Sequence, residues 1–482
     1  LGRSISKSDI ARRAKKKLRD QGDFRGEKNQ RNIIFLILAI KEKPMNETTF
    51  RTPPWIHQSL VPLFLLTLCP PAVFVFWYIN TSLDGSFLSF WQLIAQQGLF
   101  HTLKSIWQPL FFGSPLAWKI LATFAAFELL LMKIVPGKPF LGPITPKGNV
   151  PIYKANGIAC FLITLATYLL GAYAFHWFSP TLIYDNLGPI LGALNLFSLL
   201  FCLFLYLKGI FFPSSTDSGI TGNFFFDYYW GSELYPRVFG WDLKMFTNCR
   251  FGMMSWPLII LSYAAKQDQL YGISDSMIIA VALQLIYVGK FFFWETGYLR
   301  SLDIMHDRAG FYICWGCLVW VPCIYTSSTL YLVNHPVQLG NYWATTIFLA
   351  GAASIIINYL ADRQRQRVRA KNGDCLVWRR NPALIEAKYK TQDGETKESL
   401  LLASGWWGIS RHFHYVPEIA GAFFWALPAL FTHFMPYFYV VFLTALLLDR
   451  AFRHDKRCAD KYGEYWELYC AKVPYKIIPF VF

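Results

Sequence analysis

The chain has 482 residues, of which 54% are hydrophobic, 18% aromatic and only 16% charged, and its mean hydropathy is positive. That leaves too little polar surface to coat a soluble globule of this size, so a water-soluble enzyme or binding module is excluded and a bilayer protein is indicated. Half of the formal charge of +16 comes from residues 1–44, where 13 Lys/Arg face 5 Asp/Glu; such a leader fits the positive-inside rule and attraction to anionic lipid rather than base reading, so no nucleic-acid partner is expected.

In chain order, the leader 1–44 comes first, and Met45 opens a stretch that runs directly into the first apolar segment. The leader is therefore either a genuine element or an over-extended start, and its one apolar run, 33–40, lacks the cleavage site of a secretory signal. Apolar runs long enough to cross or nearly cross the hydrocarbon follow at 59–79, 116–135, 157–178, 188–208, 253–265, 274–293, 311–333 and 341–360, the fifth being short. Pro/Gly-rich stretches at 136–151 and 213–222 read as loops. A polar stretch, 361–411, precedes a last apolar one, 419–448, which Pro428, His433 and Pro436 interrupt and which is either one tilted helix or a hairpin of two short ones, a choice that charge decides for the hairpin.

Charge orients these elements. Residues 361–400 carry 10 Lys/Arg and 449–476 carry 7, so both clusters are expected on the cytoplasmic side with the leader. Eight spans plus a hairpin bring the chain back to that side. The expected fold is an all-α, polytopic membrane helical bundle of about ten segments with both termini cytoplasmic, divided after the leader into 45–250 and 251–482. The ten cysteines are scattered through apolar segments without the spacing of a disulfide framework or zinc site. Cys314 and Cys317 match a redox pair by spacing, but two small residues packed within a membrane helix is the better reading. No metal is expected.

Ionisable residues within apolar spans are costly and mark function. Tyr287, Lys290 and Glu295 fall on roughly one helical stripe, and Asp303, His306 and Asp307 follow. Residues 405–418 bring together Trp406, Trp407, Arg411, His412, His414, Tyr415 and Glu418 at the mouth of the hairpin, and 457–470 supply another charged, aromatic run. With Arg363, Arg365, Arg367 and Arg369 they place guanidinium, ammonium and aromatic groups at one edge, suiting the phosphates and flat rings of a dinucleotide. No G-x-G-x-x-G follows a strand and no P-loop occurs, so a dinucleotide has to be held by the membrane bundle itself. His412 and His414 are too few for a di-iron site.

Two long motifs, GNFFFDYYWGSELYPR at 222–237 and LLASGWWGISRHFHYVPE at 401–418, resemble the signature sequences of the sterol reductases, the family that includes Δ14-, Δ24(28)- and Δ7-sterol reductases and the lamin B receptor. The resemblance runs from 52 to 482 and looks closest to the plant-type Δ7 enzymes. It implies NADPH as cofactor, held at Arg365, Arg369, Leu402, Trp407, His414, Tyr415, Arg450, His454, Cys458, Lys461, Tyr462 and Tyr469. His454 stands where the family usually has aspartate, with Asp455 beside it.

An isolated or diene carbon-carbon bond is a poor hydride acceptor, so its reduction requires an acid. Tyr287, which matches a family tyrosine near the sterol pocket, is the expected proton donor, with Glu295 as the deeper acid of a relay. The expected partners are a sterol and membrane lipid, with no obligate protein partner. The membrane is that of the endoplasmic reticulum in a eukaryote and the inner membrane in a bacterium. Δ14 or Δ24(28) reduction, an isoprenylcysteine-type methyltransferase and a non-catalytic sterol-binding scaffold are the alternatives.

Overall fold

A computed structural model describes residues 55–145, 147–390 and 396–481. The basic leader at 1–44 lies outside the described residues. Among these, eight helices are long and apolar enough to cross a membrane, which makes the chain an integral membrane protein. They are α1 (Gln58–Ser82), α2 (Pro115–Ile134), α3 (Gly157–Ala174), α4 (Leu187–Phe211), α6 (Asp275–Phe293), α7 (Phe311–Asn334), α8 (Gly340–Ala370) and α10 (Met435–Tyr462). Between α4 and α6 lies α5, Met253–Tyr271, whose last turns carry Lys266 and Asp268 and so lower its hydropathy.

The helix boundaries follow local chemistry. Ser114 caps α2 by accepting from the Ala117 amide, with Pro115 in the first turn where its missing N–H costs nothing. Gly272, at φ +78°, ends α5 in a conformation that L side chains avoid, and Ser274 then caps α6 through the Met277 amide. The first part of α7, Phe311–Tyr325, is wound as a π-helix containing Pro322 and returns to α geometry from Ser327.

The apolar stretch at 419–448 turns back on itself, but between one short helix and one long, membrane-spanning helix rather than two short ones. Helix α9, Tyr415–Ala426, ends in a short 3₁₀ turn at Leu427–Ala429, and a second 3₁₀ turn at Met435–Tyr437 leads into the rest of α10. Helix α9 packs against both α8 and α10. A last helix, α11 (Glu464–Lys472), folds back beside α10.

One of the expected loops and the polar stretch contain regular structure. Within 136–151, β1 (Lys138–Leu141) pairs antiparallel with β2 (Ile152–Ala155). The polar stretch after 360 first extends α8 by three turns to Ala370, then forms an antiparallel pair of β3 (Leu384–Lys390) and β4 (Thr396–Leu402), with Ala387 opposite Ser399. That pair buries Ala387 and Leu401 with Tyr462, Trp466 and Tyr469 in a small core outside the bundle. The main core fills the space between α4, α5, α6, α7, α9 and α10. Gly351 lets α8 approach α6 closely, since a Cβ there would come within 2.6 Å of Leu283 Cδ1. Two buried indoles inside the bundle are satisfied by amide side chains: the Trp256 indole donates to Gln284 at 2.8 Å, and the Trp315 indole to Asn195 at 2.8 Å.

Candidate functional site

Tyr287 projects from α6 into a cluster of aromatic rings. Its ring lies 5.7 Å from Trp256 and 5.2 Å from Trp425. Tyr439 stacks on Trp425 at 5.8 Å, and Tyr325 meets Tyr439 at 4.4 Å. The Tyr287 hydroxyl donates to Oε1 of Glu418, on the first turn of α9, at 2.5 Å. One turn along α6, the Lys290 ammonium sits 4.6 Å from the Tyr287 ring centroid and 3.9 Å from the other Glu418 oxygen. Lys290 also donates to Asn358 Oδ1 at 2.8 Å, and Asn358 Nδ2 donates to the His414 carbonyl at 2.9 Å. A continuous chain of polar contacts therefore leads from the aromatic cluster to the segment that precedes α9.

The structure brings Lys290 to Tyr287 as helical spacing predicts, but does not bring Glu295 there. Helix α6 ends at Phe293, and Glu295 begins a separate turn, so the stripe is broken before it reaches Glu295. Its Oε1 pairs with Arg250 at 2.6 Å, and its Oε2 accepts from the Gly157 amide at 2.8 Å. Arg250, fully buried, also donates to Asn156 at 2.8 Å. This ion pair clamps the start of α3 to the segment ahead of α5. Glu418, which the sequence places in the second motif, occupies the position beside Tyr287 that was expected of Glu295.

The remaining expected residues converge where α8, β4, the 405–414 segment, α10 and α11 meet. The Arg365 guanidinium lies over Trp407, 3.8 Å from a ring centroid, and reaches Asp362 at 3.2 Å. Arg369, one turn on, donates to the Leu400 carbonyl at 3.3 Å. Trp407 is held from both sides: its indole donates to the Ala361 carbonyl at 2.8 Å, and its own carbonyl accepts from Tyr469 at 3.2 Å. Leu402 packs on Trp407 and Val368. His414 meets Trp407 at 4.9 Å and Tyr415 at 4.3 Å. His454, on α10, contacts His412 ring to ring at 5.0 Å, and its ring nitrogens lie 3.7 Å from Cys458 Sγ. Lys461 sits over Tyr389 at 3.9 Å and Tyr462 at 5.1 Å, while Tyr462 donates to Ser399 at 3.3 Å. Arg450 pairs with Asp303 at 2.5 Å, which neutralises one acid of the charged run after α6.

The electrostatics of this cluster favour an anion. Burial, with Arg365 and neighbouring histidines behind it, holds His414 well below the usual imidazole range; burial lowers His412 as well, against the opposing pull of Asp455. His412, His454 and Asp455 bring ligand atoms within 4.8 Å of one another, a pairing of histidines that linear spacing did not show. Both Asp455 oxygens are already engaged, one by Arg411 at 3.1 Å and the other by His412 at 3.2 Å, so a cation would have to displace these contacts. Among the described residues, Nδ1 of His414 and Nε of Arg450 are buried without a hydrogen-bond partner.

Comparison with known proteins identifies the architecture. The model of the Ergosterol biosynthesis ERG4/ERG24 family matches residues 65–482. The chain is 55% identical over 433 residues to 7-dehydrocholesterol reductase of Arabidopsis thaliana, covering 89% of this chain and 99% of the relative. It is 41% identical over 375 residues to the Xenopus laevis protein of the same name, covering 76% and 79%. It is also 36% identical over 426 residues to a Delta(14)-sterol reductase of Methylotuvimicrobium alcaliphilum, covering 87% and 94%. A match across this length, taken with the helical bundle, shows that the chain belongs to the ERG4/ERG24 family of sterol reductases.

Proposed function

We propose that this protein reduces the 7,8 double bond of Δ5,7-sterols with NADPH, in the endoplasmic reticulum of a eukaryotic source or the inner membrane of a bacterial one, with its basic edge facing the cytoplasm. The observation that carries the choice of double bond is the 55% identity to a plant 7-dehydrocholesterol reductase over nearly all of that relative. The Delta(14)-sterol reductase matches at 36%, and Δ14 reduction is accordingly the second reading.

The basic cluster suits NADPH. Arg365 and Arg369 bring guanidiniums suited to phosphate, Trp407 backs the Arg365 guanidinium, and the buried, unpartnered His414 Nδ1 and Arg450 Nε are polar atoms that a ligand can satisfy, with Tyr415 beside His414. Lys461, Tyr462, Cys458, His454, Leu402 and Tyr469 complete the wall. Bound there, NADPH supplies the hydride.

The proton comes from the protein. Tyr287 delivers it to sterol carbon 8, leaving charge at carbon 7, allylic to the 5,6 bond, where the hydride adds; the Glu418 carboxylate, accepting from the phenol at 2.5 Å, orients it, and the phenolate left behind recovers its proton from solvent. Lys290 and Asn358 hold Glu418 in position. The faces of Trp256, Trp425, Tyr325 and Tyr439 stabilise the developing cation, each contributing about 2 kcal/mol when desolvated. Glu295 has a structural task in this scheme. The test is to incubate membranes containing the protein with NADPH and, separately, Δ5,7-, Δ8,14- and Δ24(28)-sterols. Conversion of the Δ5,7-sterol supports the reading, and conversion of only another sterol overturns it.

A further inference from the structure

The four arginines at the end of α8 do not serve one site. At about 100° per residue, Arg363 and Arg367 stand roughly 200° around the helix from Arg365. Arg365 lies on Trp407, whereas Arg363 and Arg367 line a separate open groove of about 380 Å³ together with Phe140, Trp294, Arg300 and Gln366. Arg300 lies over Phe140 at 5.1 Å, and Arg363 over Tyr359 at 5.9 Å. No carboxylate lines the groove, and among the described residues none of its three guanidiniums is paired with one. Three uncompensated cations around one concavity call for an anion.

The level of the groove identifies its kind. It opens one turn beyond Leu360, where the apolar part of α8 ends, and directly after Phe293, where α6 ends. Phe293 is 67% exposed, and on the adjoining loop Leu376 and Trp378 are 59% and 55% exposed. Exposed aliphatic and indole side chains next to arginines mark the depth of lipid headgroups. We infer that the groove between Arg300, Arg363 and Arg367 binds the phosphate headgroup of an anionic glycerophospholipid, separately from the dinucleotide site on the opposite face of α8. The inference does not depend on the identity of the sterol or the cofactor.

The test uses the full chain in phosphatidylcholine discs titrated with phosphatidylserine, reading the thermal midpoint and the lipid retained in native mass spectrometry. Wild type is expected to gain stability with phosphatidylserine and to retain it. R300Q/R363Q/R367Q is expected to bind it more weakly by about fivefold for each guanidinium removed, with the NADPH KM unchanged, while R365Q/R369Q keeps the lipid response. The single variant R367Q provides the same comparison with the least perturbation. Equal retention by wild type, the triple variant and R367Q overturns the proposal, as does equal loss in R365Q/R369Q, which would mean diffuse polybasic attraction. Equal stabilisation by free inorganic phosphate also overturns it, since the ligand would then be a soluble anion.

Discussion

The Tyr287 hydroxyl and Glu418 Oε1 are 2.5 Å apart although 131 residues separate them in the chain. The contact joins α6 to the first turn of α9 and places a phenol and a carboxyl between the aromatic cluster and the basic cluster. If this pair moves the proton, Tyr287→Phe lowers kcat by about 100-fold with little change in the NADPH KM, and Glu418→Gln does the same. Single-turnover and steady-state assays on purified protein check this. A kcat within about threefold of wild type for Tyr287→Phe would rule the phenol out as donor.

The buried Arg250–Glu295 pair is expected to carry stability instead. Removing one partner leaves a charge uncompensated in the core, a cost of about 3–5 kcal/mol. Glu295→Gln should lower the thermal midpoint and expression sharply, while the protein that does fold retains its kcat. Gly157→Ala should behave similarly, because the added Cβ would lie 2.7 Å from Glu295 Oε1. A well-folded Glu295→Gln protein with lost turnover would instead return Glu295 to the chemistry.

Arg365 and Arg369 lie one turn apart on the same face of α8, and both reach the Trp407–Leu402 wall. Replacing both with Ala removes charge-assisted contacts of about 1.5–3 kcal/mol each and should raise the NADPH KM at least tenfold, with sterol affinity unchanged. Initial rates against NADPH and NADH concentration decide it: an unaltered NADPH KM refutes the phosphate assignment.

The histidines predict a pH effect on stability. His412 and His414 are held below the ordinary imidazole value, first by burial. The unfolded chain therefore binds protons that the folded one refuses. Stability is full above about pH 6.5 and falls as the pH drops toward the lowered folded values, by up to about 1.4 kcal/mol per pH unit for each histidine. Thermal midpoints measured from pH 7.5 to 5.5 should decline below about 6.5, and His414→Asn should flatten the slope. An unchanged slope in that variant would show that His414 does not contribute.

Most of the architecture was legible in the sequence because hydropathy acts locally: a run of about twenty apolar residues has no stable option but to cross the bilayer as a helix. Loop charge likewise chose a hairpin over one tilted helix at 419–448, since only a hairpin keeps the basic tail on the side of the other two basic clusters. Strands β3 and β4 were not legible. Their pairing depends on Tyr462, Trp466 and Tyr469, side chains 60 or more positions away that give the sheet its apolar cover.

For the site, residue types and motifs were enough to assemble the basic cluster, because guanidinium and aromatic groups advertise their chemistry wherever they fall. Partnership was decided only by tertiary structure. Helical periodicity linked Tyr287 to Lys290 correctly but extended the stripe past the end of α6 to Glu295, which the packing of α3 and Arg250 claims instead. The carboxyl that meets Tyr287 comes from α9, and the arginine run on α8 divides between two faces. Sequence spacing measures position along one helix, whereas a buried charge is placed by whichever neighbour in space neutralises it.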